Sequence, residues 1–184
     1  MFILLIINKK NNIKNNNIKN NNIKNNNIII NIIINMDFII CSLKEDFNKN
    51  LVNEDYYYQI FNLLSQLTDA PTIPYITFKN IVNSFDNNHN IYVYKIGNEI
   101  IGIITLIIEK KLIHNGKKCG HIEDLVVDKK WRSKGIANIL LKYTIDKCRN
   151  SGCYKVILDC HPDLKLFYEK NNFTPVGITM RYNI

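Results

Sequence analysis

The residues Arg132, Ser133, Lys134, Gly135, Ile136, Ala137 and Asn138 stand where one apolar run, Ile122 to Val127, gives way to another that begins at Ile136. A basic turn that opens a helix leaves several backbone N–H groups unpaired at the positive end of the helix dipole. Such a turn suits a phosphate or pyrophosphate. Gly135 and Ala137 are small enough to let an anion approach the backbone, and Arg132 and Lys134 add mobile positive charge beside it. Just before the turn, two adjacent acids, Glu123 and Asp124, interrupt the apolar run. An exposed edge pair is the plain alternative, yet like charges side by side in an apolar strand need a reason. Neighbouring strand residues point to opposite faces, so one acid is expected to meet a ligand and the other to serve structure. Asp159 closes a further apolar run, where it is either a site carboxylate or the N-cap of a helix opening near Pro162. Tyr168 lies on the short helix that follows, where a core role is the ordinary one.

The elements that must position these residues are read from periodicity and breakers. Asp37 to Leu43 is expected as a strand, Glu54 to Leu67 as a helix and Ile76 to Phe85 as a second helix. Ile91 to Ile96 and Glu99 to Glu109 are strands joined at Gly97-Asn98, a hairpin signal. Cys119 to Val127 is a long strand. Gly135 to Arg149 is a helix whose buried stripe holds Ile136, Ile139, Leu140, Tyr143 and Ile145. Tyr154 to Cys160 is apolar almost throughout and is expected to be buried on both faces. Asp163 to Lys170 is a short helix, and Val176 to Tyr182 a closing strand. The sum is one α/β domain with a mixed sheet between helices.

Composition bounds what such a domain can be. The chain has 184 residues, a length that suits one domain with an appendage. Residues 1–35 are almost wholly Asn, Ile and Lys, with I-K-N-N-N repeated from Ile13 to Asn27. This tract has no period that builds an amphipathic face, and it reads as a low-complexity, disordered tail. Its apolar start, F-I-L-L-I-I, is short for a signal core and lacks a small-residue cleavage site. A transit peptide would be rich in Arg and Ser, and the tract has neither. Composition favours neutral filler over a targeting or interaction role, and the domain is expected over 36–184. The formal charge is +8, but Lys9, Lys10, Lys14, Lys19 and Lys24 lie in the tail, so +3 remains for the domain. That excludes a nucleic-acid footprint and suits ligands that carry phosphate. Cys41, Cys119, Cys148, Cys153 and Cys160 are odd in number and include no C-x-x-C pair. They read as reduced, mostly core, residues of a cytoplasmic protein. His89, His114, His121 and His161 do not pair with them at zinc spacing, so no metal is expected. No apolar run is long enough to span a bilayer.

The spacing Arg132-x-x-Gly135-x-Ala137, in a turn after the fourth strand, resembles the acyl-coenzyme A pyrophosphate loop of GCN5-related N-acetyltransferases. Five further blocks narrow the resemblance: L-S-Q-L-T-D (Leu64–Asp69), T-L-I-I-E-K-K-L-I-H (Thr105–His114), G-H-I-E-D-L-V-V (Gly120–Val127), C-Y-K-V-I-L-D-C (Cys153–Cys160) and F-Y-E-K-N-N-F (Phe167–Phe173). Together they are similar to the eukaryotic glucosamine 6-phosphate N-acetyltransferases, across the domain from Asp37 onward. The resemblance implies acetyl-CoA as co-substrate, a sugar-phosphate acceptor and a homodimer. It implies that backbone of Leu125, Val126 and Val127 holds the acetyl-pantetheine arm, with the Leu125 N–H at the oxyanion. It implies that Arg132 to Asn138 cradle the pyrophosphate. The acceptor would be held by Thr68, by Lys111, Leu112, Ile113 and His114, by Glu123, Asp124 and Leu125, and by Tyr154 and Lys155. Asp159 and Glu123 would be the catalytic carboxylates, and Tyr168 the proton donor to the leaving thiolate.

Three positions depart from the family pattern. Ala137 replaces a Gly, which costs little where φ is negative. Leu164 replaces an Asn. The family's C-terminal Arg falls at Asn183, and Arg181, two residues earlier on the same strand face, is the expected substitute for gripping the phosphate. The closing strand is expected to reach a neighbouring subunit. An unpaired edge strand is usually protected, here by the partner. His114 and His121 are expected to pack or hydrogen-bond rather than to act as bases, and Trp131 is expected as a surface or cap residue.

Overall fold

The computed structural model describes residues 38–184, and the tail read over 1–35 lies outside the described residues. Five strands form one sheet in sequence order: β1 (Phe38–Ser42), β2 (His89–Ile96), β3 (Glu99–Lys110), β4 (Lys118–Val127) and β5 (Cys153–Ile157). The first three pairings are antiparallel and β4–β5 is parallel. This is the mixed, mostly antiparallel sheet flanked by helices that the sequence predicts.

Three helices precede the β2–β3 hairpin: α1 (Leu43–Asn48), α2 (Glu54–Leu64) and α3 (Tyr75–Ser84). Asn53 caps α2 by accepting the Tyr56 N–H at 2.9 Å. Tyr56, Tyr57, Ile60 and Leu63 of α2, with Phe78 and Val82 of α3, bury one sheet face against Val93, Ile103 and Val126. On the other face lies α4 (Ile136–Asn150), whose Ile136, Leu140, Leu141, Thr144 and Cys148 are buried. Between two layers β3 cannot alternate, and Ile100 to Leu106 are all buried. Gly120 of β4 lies so close to α4 that a Cβ there would overlap Cys148 Sγ.

The structure differs from the sequence expectation at several elements. Helix α1 has no long amphipathic pattern to announce it. It is anchored by tertiary contacts through Asp46, 3% exposed, which pairs with Lys95 and accepts from Tyr56 Oη (2.9 Å) and Cys41 Sγ (3.1 Å). Desolvation pushes the Asp46 carboxyl up, but hydrogen bonds from Lys95, Cys41 and Tyr56 outweigh it and leave it below its ordinary range. Helix α2 stops at Leu64 and continues as a turn to Leu67. The last helix is a 3-10 turn, Pro162–Leu164, followed by α5 (Lys165–Lys170).

Two corrections concern the end of the chain. Val176 to Tyr182 is not a strand. It runs free of the sheet, with Val176, Ile178, Met180 and Tyr182 each 79% or more exposed. Gly177 takes a left-handed turn (φ 79°), and Thr179 Oγ1 donates to Asp159 Oδ1 at 2.7 Å, a side-chain bond in place of a backbone ladder. Consequently β5 is an edge, half-buried rather than buried on both faces. All five cysteines are free: Cys119 and Cys148 are buried, Cys41 and Cys153 half-buried, and Cys160 exposed. Among the described residues no helix is long and apolar enough to cross a membrane.

Candidate active site

The parallel pairing of β4 with β5 ends at His121↔Ile157. Beyond it the two strands separate, and Ile122 to Val127 of β4 present a free edge. On the β3 side the register slips: Ile103 pairs Val126 and Thr105 pairs Glu123, so Asp124 and Leu125 oppose Ile104 alone. This is a β-bulge, and Asp124 takes a left-handed φ of 51° within it. A cleft of about 620 Å³ opens beside the bulge, lined by Leu125, Val126 and Val127 on one wall and by Leu164, Phe167 and Tyr168 on the other.

The floor of the cleft is the basic turn. Ser133 (φ 62°) and Gly135 (φ 83°) are both left-handed, and Gly135 is the N-cap of α4. A Cβ on Gly135 would meet nothing within 4 Å, so the space above it is open. The first α4 bond runs from Ile139 N–H to Gly135 O at 3.1 Å, which leaves the earlier N–H groups without helical partners. Arg132 Nε donates to the Val127 carbonyl at 3.0 Å, tying the turn to the end of β4. Lys134 Nζ sits 4.3 Å from the centre of the Trp131 ring. Ala137 lies in the helical first turn of α4 and is not at positive φ, so its replacement of Gly carries no strain. Serially aligned N–H donors, two cations and open space fit a pyrophosphate, and a free strand edge fits an amide-bearing arm.

Three carboxylates gather where β4 and β5 part. Desolvation, then the charges of Asp124 and Asp159, push the Glu123 carboxyl above its ordinary range. Both Glu123 and Asp124 are exposed while Ile122 and Val126 are buried. The bulge interrupts regular strand alternation at this pair, with Asp124 at its left-handed position. Thr105 Oγ1 donates to Asp124 Oδ2 at 3.3 Å. Asp159 does not cap a helix; His161 caps the 3-10 turn instead, accepting the Asp163 N–H. Tyr168 is 9% exposed and lines both the cleft and a second hollow of about 280 Å³ that also holds Asp159, Lys155 and Cys160. Burial, and then the nearby Cys160, push the Tyr168 phenol up, so it keeps its proton at neutral pH.

The remaining sequence-predicted residues fall into three groups. At the far end of β3, Glu109 Oε2 bridges Lys111 Nζ (2.5 Å) and His121 Nε2 (2.9 Å), and these bonds hold the Glu109 carboxyl low. His114 and Asn115 are left-handed in the β3–β4 turn, the His114 ring lies 4.6 Å from the Tyr154 ring, and Leu112 and Ile113 are exposed. Thr68 is exposed just past α2, next to Leu67, which lines the cleft. Arg181 and Asn183 lie on the exposed terminal segment and line neither cavity. Sequence reasoning missed Gln66, Leu67, Phe167, Leu164 and Trp131 as cleft residues. Trp131 in particular is a wall of the cleft and not a cap. Gln66 and Leu67 lie in the L-S-Q-L-T-D block and Phe167 in F-Y-E-K-N-N-F, which was a signal for them, whereas Trp131 had only its adjacency to Arg132.

An open β4 edge meeting a helix-capping basic loop, with carboxylates and a protonated phenol at the mouth, defines an acyl-coenzyme A acyltransferase. Residues 50–173 match the model of the Acetyltransferase (GNAT) family. The chain is 39% identical over 101 residues to a glucosamine 6-phosphate N-acetyltransferase of Arabidopsis thaliana, covering 54% of this chain and 68% of that one. It is 35% identical over 130 residues to the enzyme of the same name from Candida albicans, covering 68% and 87%. The crystal structure of the Arabidopsis glucosamine-6-phosphate N-acetyltransferase superposes with a TM-score of 0.67 at 32% identity, over 80% of this chain and 98% of that one. The chain belongs to the acetyltransferase (GNAT) family and, within it, to the glucosamine 6-phosphate N-acetyltransferases.

Proposed function

We propose that this chain transfers the acetyl group of acetyl-CoA to the 2-amine of glucosamine 6-phosphate, giving N-acetylglucosamine 6-phosphate for UDP-N-acetylglucosamine synthesis. The observation that carries the chemistry is the free β4 edge at the Asp124–Leu125 bulge, continuous with the Gly135 loop. The pyrophosphate rests on N–H groups of Ser133 to Asn138, with Arg132 and Lys134 beside it. The pantetheine arm runs along Leu125 to Val127 and directs the thioester toward the three acids. The 2-amine attacks the thioester carbonyl. Its proton passes to a carboxylate, Asp159 or the basicity-raised Glu123. The carbonyl oxygen gathers negative charge, which the Leu125 N–H meets. The C–S bond then breaks, and Tyr168 supplies a proton to the departing thiolate. Sugar hydroxyls fall to Thr68, Asp124, Tyr154, Lys155 and the Lys111–His114 turn.

The unpaired terminal segment supports a homodimer. Val176, Ile178, Met180, Tyr182 and Ile184 alternate with polar residues and are exposed, while β5 has an open edge. An amphipathic strand and an open edge suit exchange between two copies. In the proposed dimer Arg181 and Asn183 reach the partner's acceptor site, where they hold the phosphate. The decisive assay measures coenzyme A release with glucosamine 6-phosphate, glucosamine and spermidine as rival acceptors. Turnover is expected for the sugar phosphate well above the other two; release with another amine and none with glucosamine 6-phosphate refutes the reading.

A further inference from the structure

Gln66 lies in the turn that ends α2, two residues before Thr68, and its carboxamide is used at both ends. Nε2 donates to Asp128 Oδ2 at 2.9 Å, and Oε1 accepts the Lys129 N–H at 2.9 Å. Asp128 is itself held: its N–H donates to Ile101 O at 3.0 Å, and its Oδ1 accepts the Lys130 N–H at 2.8 Å. Asp128 and Lys129 open the 3-10 turn Lys129–Trp131, which leads directly into Arg132 and the pyrophosphate loop. Gln66 therefore crosses from the loop that carries Thr68 to the root of the loop that carries Arg132, and it lines the cleft between them with Leu67 and Trp131.

The chemistry of the crossing is specific to an amide. One group must donate to a carboxylate and accept from a backbone N–H without adding charge, and a carboxamide does both from two separate atoms of one planar group, at the end of a side chain long enough to cross. Asn is one methylene shorter. Glutamate would set a like charge against Asp128. Methionine keeps the length and the packing but makes neither bond.

We infer that Gln66 is a positioning residue that couples the two walls of the cleft, so that coenzyme and acceptor each bind more tightly when the other is present. The inference rests on the proposed reading of the cleft. Coupling between two ligands is reciprocal, so it can be read from either side. Trp131 is the only tryptophan in the chain and lines the same cleft, so its fluorescence reports coenzyme binding.

The test titrates coenzyme A into the full chain by Trp131 fluorescence, with and without glucosamine 6-phosphate, for wild type and Gln66→Met. In wild type the acceptor is expected to tighten coenzyme A about fivefold, the low end of ordinary coupling. In Gln66→Met the factor is expected to fall to about one, coenzyme A alone to bind a few-fold more weakly, and the melting temperature to stay near wild type. Gln66→Glu is expected to lose the coupling as well. A wild-type factor retained in Gln66→Met overturns the inference. So does a wild-type factor of one in an enzyme that turns glucosamine 6-phosphate over. A wild type that binds coenzyme A, shows a factor of one and forms no product marks failure of the acceptor reading itself, and the coupling falls with it.

Discussion

At the residue scale, the proposed mechanism needs one group that gives a proton and another that takes one. Tyr168 is held protonated by burial, while Glu123 is made more basic by desolvation and by its acidic neighbours. A group that keeps its proton and a group made more basic are what an acid–base pair requires. Tyr168→Phe and Asp159→Ala are therefore expected to lower kcat by ~100- to 10,000-fold, with coenzyme A affinity unchanged in a binding titration. The Asp124 charge raises Glu123, so Asp124→Asn removes a reason for the shift. The Glu123 carboxyl then loses its proton more easily, and the base is competent at lower pH. The acid limb of the pH profile of kcat/KM is expected to move toward lower pH, measured against wild type in the same buffers. The amide oxygen can still accept from Thr105 Oγ1, so the fold is expected to stand.

At the element scale, two devices build the cleft: the β4 bulge with its free edge, and the left-handed turn that caps α4. The turn is the more sensitive to substitution. Gly135 has φ 83°, and its missing side chain leaves open the space that a phosphate needs. A β-branched residue at this φ is strained by about 1–2 kcal/mol and fills that space. Gly135→Val is expected to raise the coenzyme A dissociation constant by at least about tenfold, a loss of about 1.4 kcal/mol. Its melting temperature should fall by only a few degrees. Trp131 fluorescence titration and calorimetry separate the two effects. By contrast, the bulge cannot be reached by one small substitution, because it is a register difference between β3 and β4.

At the scale of the whole molecule, the terminal segment and the β5 edge are complementary and both unsatisfied within one chain. Apolar side chains at alternate positions stabilise nothing while they face water. The proposed dimer gives the segment an edge and gives each site the Arg181 and Asn183 of its partner. Asp159→Ala subunits and Arg181→Ala/Asn183→Ala subunits are each expected to be weakly active as pure dimers. Mixed and re-equilibrated, they are expected to recover activity, up to about a quarter of wild type if the subunits pair at random. Light scattering should show the dimer mass throughout. No recovery together with a monomer mass removes the shared site.

The amino-acid sequence by itself determined most of the architecture. The β2–β3 hairpin at Gly97-Asn98, the long α4 after Gly135 and the strand-then-basic-turn order are local patterns, and local patterns survive without knowledge of distant partners. The two acids and the basic loop were legible because charged residues are unusual in apolar surroundings, whereas Tyr168, an ordinary core residue by type, was singled out by the family resemblance alone. Tertiary structure alone decided the rest. Helix α1 exists because Asp46 finds Lys95, 49 residues away in the chain. The side on which Asp124 emerges depends on register with β3, which no window of β4 contains. Gln66, Trp131 and Phe167 became cleft residues only when α2, the basic turn and α5 met. The closing strand failed for the converse reason: its alternation is correct for a strand, but alternation specifies a face and not a partner, and within one chain the segment does not pair with the open edge of β5.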